Sequence, residues 1–154
     1  MDDDARYLAR SMFVREQVGL IRSDVLPDFA TDLLVLGYDS PSLRELAGLP
    51  RGDRSDATKL WEAVREELGS PREPDEQASR FLLRYWAREI TEGRVDVLEG
   101  SRLMLDVGWF PLDQPKELHR LWNLLDDWDE IPAARDRITS ELLVFARELL
   151  RNES

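Results

Sequence analysis

The sequence predicts an all-α fold, a single-domain bundle of about seven or eight amphipathic helices, and three observations carry that reading. Apolar residues recur at three- and four-residue spacing along most of the chain. Glycines and prolines punctuate it where helices would start and stop. No run of alternating apolar residues is bounded as a strand would be. With 154 residues and a hydrophobic share of 42%, the chain has the size and the apolar content of one domain with a true core. The domain is expected to span residues 1–154, with the loop at 69–75 as the only candidate internal boundary. That stretch holds two prolines, but it is no longer than the roughly 2–8 residues that ordinarily connect helices.

The first helix is expected from about Asp3 to Ile21, with Asp2, Asp3 and Asp4 at the positive end of its dipole. Its inward stripe reads Tyr7, Leu8, Met12, Val14, Val18 and Ile21, and Gly19 weakens the last turn. Pro27 suits the first turn of a second helix, which needs no donor there. Phe29, Ala30, Leu33, Leu34 and Leu36 make that helix strongly apolar, and Gly37 is a left-handed stop. Ser40 can cap a short third helix and Pro41 fits its first position. Leu43, Leu46 and Ala47 form its face, and Gly48 and Pro50 end it. The Arg51–Asp53 triplet spells RGD, which has meaning only on an extracellular surface and reads here as chance.

Ala57, Leu60, Trp61, Val64 and Leu68 mark a fourth helix from about Ser55 to Leu68, closed by Gly69. The strongest pattern of the chain runs from Asp75 to Thr91. Ala78, Phe81, Leu82, Tyr85, Trp86 and Ile90 share one face, and Arg80, Arg84, Arg88 and Glu89 are left for the wet face. Asp96 and Glu99 have the spacing of a capping box, so a sixth helix starts near Val97 and carries Leu98, Met104 and Leu105 inward. Gly100 and Ser101 inside it are small enough for another helix to come close. Gly108 to Pro111 breaks the pattern and Asp113 to Pro115 restarts it. Leu118, Leu121, Trp122, Leu125 and Trp128 then form a stripe. Pro132 opens the last helix, with Ala134, Ile138, Leu142, Phe145 and Leu149 facing inward.

Several chemistries are excluded by what the chain lacks. It has no cysteine, so disulfides, thiolate metal sites and cysteine nucleophiles are absent, as suits a cytoplasmic protein. The start MDDDAR is acidic where a signal peptide needs positive charge. No apolar run approaches the roughly 20 residues of a membrane span. The phosphate-cradling and nucleophile-elbow motifs of nucleotide-binding proteins and hydrolases do not occur. A net charge of −11 repels phosphate backbones, so no nucleic acid is expected as partner, and without an apolar span no membrane is expected either. The acidity promotes solubility and also suits a basic protein partner.

His119 is the sole histidine, with Asn123, Asp126 and Asp127 following at spacings that bring them near its face. No two-histidine or Glu-x-x-His pattern accompanies it, so no cofactor and no metal ligand set is expected, and no catalytic residue is assigned. Asp126, Asp127, Asp129 and Glu130, interrupted by Trp128, form the densest acidic cluster. Its ordinary reading is a solvated helix end. Its sharper reading is a docking surface for Arg or Lys side chains, with Trp128 or Trp122 as an aromatic anchor. Of the five tryptophans, Trp61, Trp86, Trp122 and Trp128 fall on or beside expected core faces. Trp109 and Phe110 sit in the Gly/Pro-bounded break, where they either close the core or form a contact surface.

Gly37–Pro50 (GYDSPSLRELAGLP) and Ile90–Met104 (ITEGRVDVLEGSRLM) resemble segments of small, acidic, all-helical bacterial proteins without an assigned activity, and the resemblance extends through the Leu118–Arg137 region. Together these cover about half the chain. The resemblance implies a common fold and brings no catalytic residue with it. In size and charge the chain is also similar to immunity proteins of bacterial toxin systems. The favoured reading is a non-enzymatic protein-binding domain, in its most specific form an immunity-type inhibitor of a basic toxin. Its candidate contact residues are Asp126, Asp127, Trp128, Asp129, Glu130, Trp109 and Phe110. The alternatives are a self-associating structural or regulatory module, working as a homodimer, and a metal-dependent or carboxylate enzyme built around His119.

Overall fold

The structure is a computed structural model that describes residues 2–50 and 53–152; Arg51 and Gly52 of the RGD triplet lie outside them. The described residues form eight α-helices and three short 3-10 turns, with no strand among them. None of these helices is long and apolar enough to cross a membrane. The chain divides into two compact units, Met1–Glu73 and Pro74–Ser154, and the division falls inside the loop that the prolines mark.

The first unit holds α1 (Asp3–Gln17), α2 (Leu26–Val35), α3 (Pro41–Ala47) and α4 (Arg54–Leu68). Local chemistry sets the helix ends. The Asp2 carboxylate accepts from the Ala5 N–H at 2.7 Å, and the Ser40 hydroxyl accepts from the Leu43 N–H at 3.2 Å. Each satisfies a donor that has no partner inside its helix. Gly69 closes α4 in the left-handed conformation with φ +68°. The N-terminus of α3 has a second partner on α4. Glu67 accepts from the Ser42 N–H at 3.0 Å and from the Ser42 hydroxyl, and these bonds hold its carboxyl below the usual carboxylate range.

The core of this unit is built on Trp61, which is fully buried with Phe13 at 4.8 Å and Phe29 at 6.1 Å between ring centroids. Leu26, Leu33, Leu43, Leu46 and Val64 belong to the same cluster, with Met12 and three alanines. Among the described residues the Trp61 indole N–H has no acceptor, a cost of about 1–3 kcal/mol. Removing roughly 150–250 Å² of aromatic surface from water contributes about 4–6 kcal/mol and outweighs it.

Two expectations for this unit are corrected. α1 stops at Gln17 rather than Ile21, because Gly19 takes φ +81° and turns the chain. Leu8 and Val18, expected inside, are 41% and 37% exposed, and Phe13 is buried in their place. Arg65 lies on the buried side of α4, although its charge marks it for the wet face. It is 4% exposed. Its guanidinium donates to the Phe13 carbonyl at 2.6 Å and the Ser70 carbonyl at 3.2 Å, pairs with Glu16 at 3.2 Å, and lies over the Phe13 ring at 5.1 Å. One cation thus ties α1, α4 and the loop after α4 together. That loop is also pinned to α1 by Arg10, which donates to both Glu73 oxygens, and by Gln17, which exchanges two hydrogen bonds with the Glu73 backbone.

The second unit holds α5 (Asp75–Thr91), α6 (Val97–Gly108), α7 (His119–Glu130) and α8 (Arg135–Asn152). The pairs α5–α6, α6–α7, α7–α8 and α8–α5 are all packed, and α6 also meets α8, so the four helices close into a bundle. α5 is buried more widely than one stripe. Ser79, Leu83 and Ala87 are buried beside the expected Ala78, Leu82, Tyr85 and Ile90, and Phe81 and Trp86 are half-buried. Two neighbouring helices cover it on two sides. Glu89, expected on the wet face, is half-buried and pairs with Arg94 at 2.9 Å.

Asp96 caps α6 through the Glu99 N–H at 3.1 Å. A Cβ on Gly100 would stand 2.5 Å from Ile90 Cγ1 and 2.9 Å from Val95 Cγ1. A Cβ on Gly108 would stand 2.7 Å from Leu118 Cδ1 and 2.9 Å from Leu83 Cδ2. Both glycines are therefore buried contact points where neighbouring side chains fill the missing volume. The last helix begins at Arg135, and Pro132 opens a 3-10 turn before it. Ile138, Leu142, Phe145 and Ala146 are its buried face.

Two substitutions test these contacts. Gly100→Val forces Ile90 and Val95 aside and is expected to destabilise the protein by about 1–3 kcal/mol. Arg65→Ala leaves Glu16 and the Phe13 carbonyl without their partner, with an expected loss of about 3 kcal/mol. Urea unfolding reads both, and an unchanged transition for either variant contradicts the corresponding contact.

Candidate functional site in the groove between α6 and α7

The register of α7 separates the acidic cluster into two stripes. His119, Trp122, Asp126 and Asp129 follow at three- and four-residue steps and share one face. Glu130, four residues on from Asp126, borders that face, and Asp127 lies about 100° round the helix from Asp126. Leu121, Leu124 and Leu125 are buried in the bundle. Trp128 is roughly 160° round the helix from Asp126 at about 100° per residue, so it cannot anchor a ligand held by Asp126. It is half-buried, and the Arg135 guanidinium lies 5.2 Å over its ring while Arg135 Nε donates to its carbonyl at 3.0 Å. The exposed anchor is Trp122. Expected among the core tryptophans, it is 41% exposed.

Asp126 and Asp129 face α6 across a groove of about 330 Å³ lined by Arg102, Leu105 and Asp106 of α6 and by Trp122, Leu125, Asp126 and Asp129 of α7. Arg102 pairs with Asp129 at 3.3 Å. Among the described residues, Asp106 and Asp126 have no ion-pair partner. One end of the groove is aromatic. Trp109 stacks on Trp122 with centroids 6.0 Å apart and planes at 28°, and it tilts against the His119 ring at 5.5 Å. Trp109 is half-buried, whereas Phe110 is 77% exposed. The aromatic pair in the break thus divides: Trp109 braces α7 and Phe110 points to water.

The loop that holds Trp109 is short and strained. Asp113 and Gln114 both take left-handed backbone conformations, with φ +58° and +50°, which cost about 1–3 kcal/mol each for residues other than glycine. The turn is closed by the Leu112 N–H on the Gly108 carbonyl, the Asp113 N–H on the Phe110 carbonyl and the Gln114 N–H on the Trp109 carbonyl. Pro115 is extended and leads into the 3-10 turn Lys116–Leu118 at the head of α7.

His119 is exposed, with one side of its ring occupied by Trp109. Among the described residues, no group of three or more His, Asp or Glu side chains is arranged to hold a metal ion. Two other cavities carry less chemistry. One of about 430 Å³ is lined by Phe145, Leu149, Glu117, Arg120 and Glu148, and its charges are already paired, Arg120 with Glu148 and Glu117 with Arg80, both at 3.3 Å. The other, of about 620 Å³ in the first unit, is lined by Glu62, Arg65, Glu66 and Arg72. There Arg65 is committed to Phe13, Ser70 and Glu16. The α6–α7 groove combines exposed aromatic surface with Asp106 and Asp126, which have no ion-pair partner among the described residues.

Sequence reasoning missed Arg102 and Asp106, because a groove made by two helices is invisible in the pattern of either one. Compared with known proteins, the chain matches no family model, no curated protein and no solved structure at a significant level. The resemblance of its helical segments to small acidic bacterial proteins therefore gains no family name.

Proposed function

We propose that this protein is a non-enzymatic binding domain that docks a basic protein partner on the α6–α7 groove, in its most specific form an immunity-type inhibitor that covers the basic active site of a toxin such as a nuclease. The observation that carries this reading is the juxtaposition of Asp106 and Asp126, which have no ion-pair partner among the described residues, with the exposed face of Trp122. A net charge of −11 extends the attraction beyond the groove, speeds encounter with a cationic surface and turns away phosphate backbones. A tryptophan that is stacked from behind and open in front is a typical anchor, since its ring is held before the partner arrives. Self-association through the same face is disfavoured, because a two-fold contact would set these carboxylates against their own copies.

Paired baits in a host-cell lysate test the reading. Wild-type protein is expected to retain a basic protein at low salt and release it in a salt step. Asp126→Lys combined with Asp129→Lys is expected to abolish that capture, and Asp127→Lys, about 100° round the helix from Asp126, to preserve it. Capture that survives the double substitution overturns the assignment of this face. Recovery of the bait alone overturns the basic partner in favour of self-association.

A further inference from the structure

Resting on that reading, we infer that the groove selects arginine over lysine: it receives a guanidinium of the partner, laid on the open face of Trp122 and paired with Asp126 and Asp106. The cation that enters has carboxylates on both sides, Asp106 from α6 and Asp126 from α7, and apolar surface from Leu105, Leu125 and Trp122. Lining of this kind asks for a cation that sheds water readily on its faces and donates hydrogen bonds around its edge. Guanidinium is planar and weakly hydrated and carries five N–H donors in a fixed fork, whereas an ammonium is a compact, strongly hydrated point charge.

Both halves of the contact already occur within this chain. The Arg135 guanidinium lies 5.2 Å over the Trp128 ring, and Arg102 pairs with Asp129 at 3.3 Å on the wall of the same groove. Trp122 and Asp126, one turn apart on α7, offer the same two partners to a guanidinium from outside. The stacking of Trp109 on Trp122 fixes the ring from behind, so little side-chain freedom is lost when the cation arrives.

The test uses two synthetic peptides of equal charge, acetyl-Arg-Gly-Arg-amide and acetyl-Lys-Gly-Lys-amide, titrated into the full chain while the indole N–H resonance of Trp122 is followed by NMR. The arginine peptide is expected to shift that resonance and to bind about fivefold more tightly than the lysine peptide. Trp122→Leu is expected to remove the difference between the peptides. Asp126→Asn, a surface change that leaves the ring in place, is expected to weaken both. Equal affinity in the wild-type protein, a preference that survives Trp122→Leu, or no response to the arginine peptide at millimolar concentration overturns the guanidinium assignment. None of these results touches the salt-sensitive capture of a basic protein, which stands or falls with the Asp126 and Asp129 charge reversal.

Discussion

At Gly100 and Gly108 the side chains of Ile90, Val95, Leu83 and Leu118 lie within about 2.5–3 Å of where a Cβ would stand, and the placement of α6 depends on that vacancy. Without it, α6 would have to move away from α5. Gly108 has the larger consequence. It is the last residue of α6, it receives Leu83 from α5, and it receives Leu118 from the turn that leads into α7. Three helices are therefore referenced to one backbone position. The Trp109 loop begins at the next residue, so this contact lies at the root of the loop that carries the Trp109–Trp122 stack.

The first unit solves its packing problem differently. Its neighbours are held by a buried cation, with Arg65 reaching the Phe13 carbonyl, the Ser70 carbonyl and Glu16. A buried charge is tolerated only when its hydrogen-bonding capacity is met. Arg65 meets most of it, and among the described residues its Nε alone has no partner on that side chain. The two units thus illustrate opposite devices, removal of a side chain in one and retention of a charged one in the other. Arginine in contact with an aromatic ring recurs through the molecule, with Arg15 over Phe29, Arg65 over Phe13 and Arg135 over Trp128.

The helices were legible because their ends are written locally. Ser40 with Pro41, Asp96 with Glu99, and the glycines at 37 and 69 each act within a few residues of themselves, and the structure finds helix ends at all of them. Which face turns inward was less legible, because neighbours decide it. Leu8 and Phe13 are both apolar, yet only Phe13 meets Trp61. Arg65 reads as a solvent-facing charge until the Phe13 carbonyl beside it is known. At the candidate site the acidic residues were visible as a run, but helical geometry divides that run. It turns Trp128 away toward Arg135 and leaves Trp122 beside Asp126. Arg102 and Asp106 carried no signal of their own, since their meaning comes from the helix opposite.

We propose that one surface, made by α6, the Trp109 loop and α7, contacts the partner. Hydrogen–deuterium exchange on the full chain, alone and bound to the basic protein captured by the wild-type bait, measures this directly. New protection is expected in residues 102–112 and 119–129, with α2 and α4 unchanged. Protection centred on α2, α4 or the groove beside Phe145, with the α6–α7 segments unaffected, would contradict it.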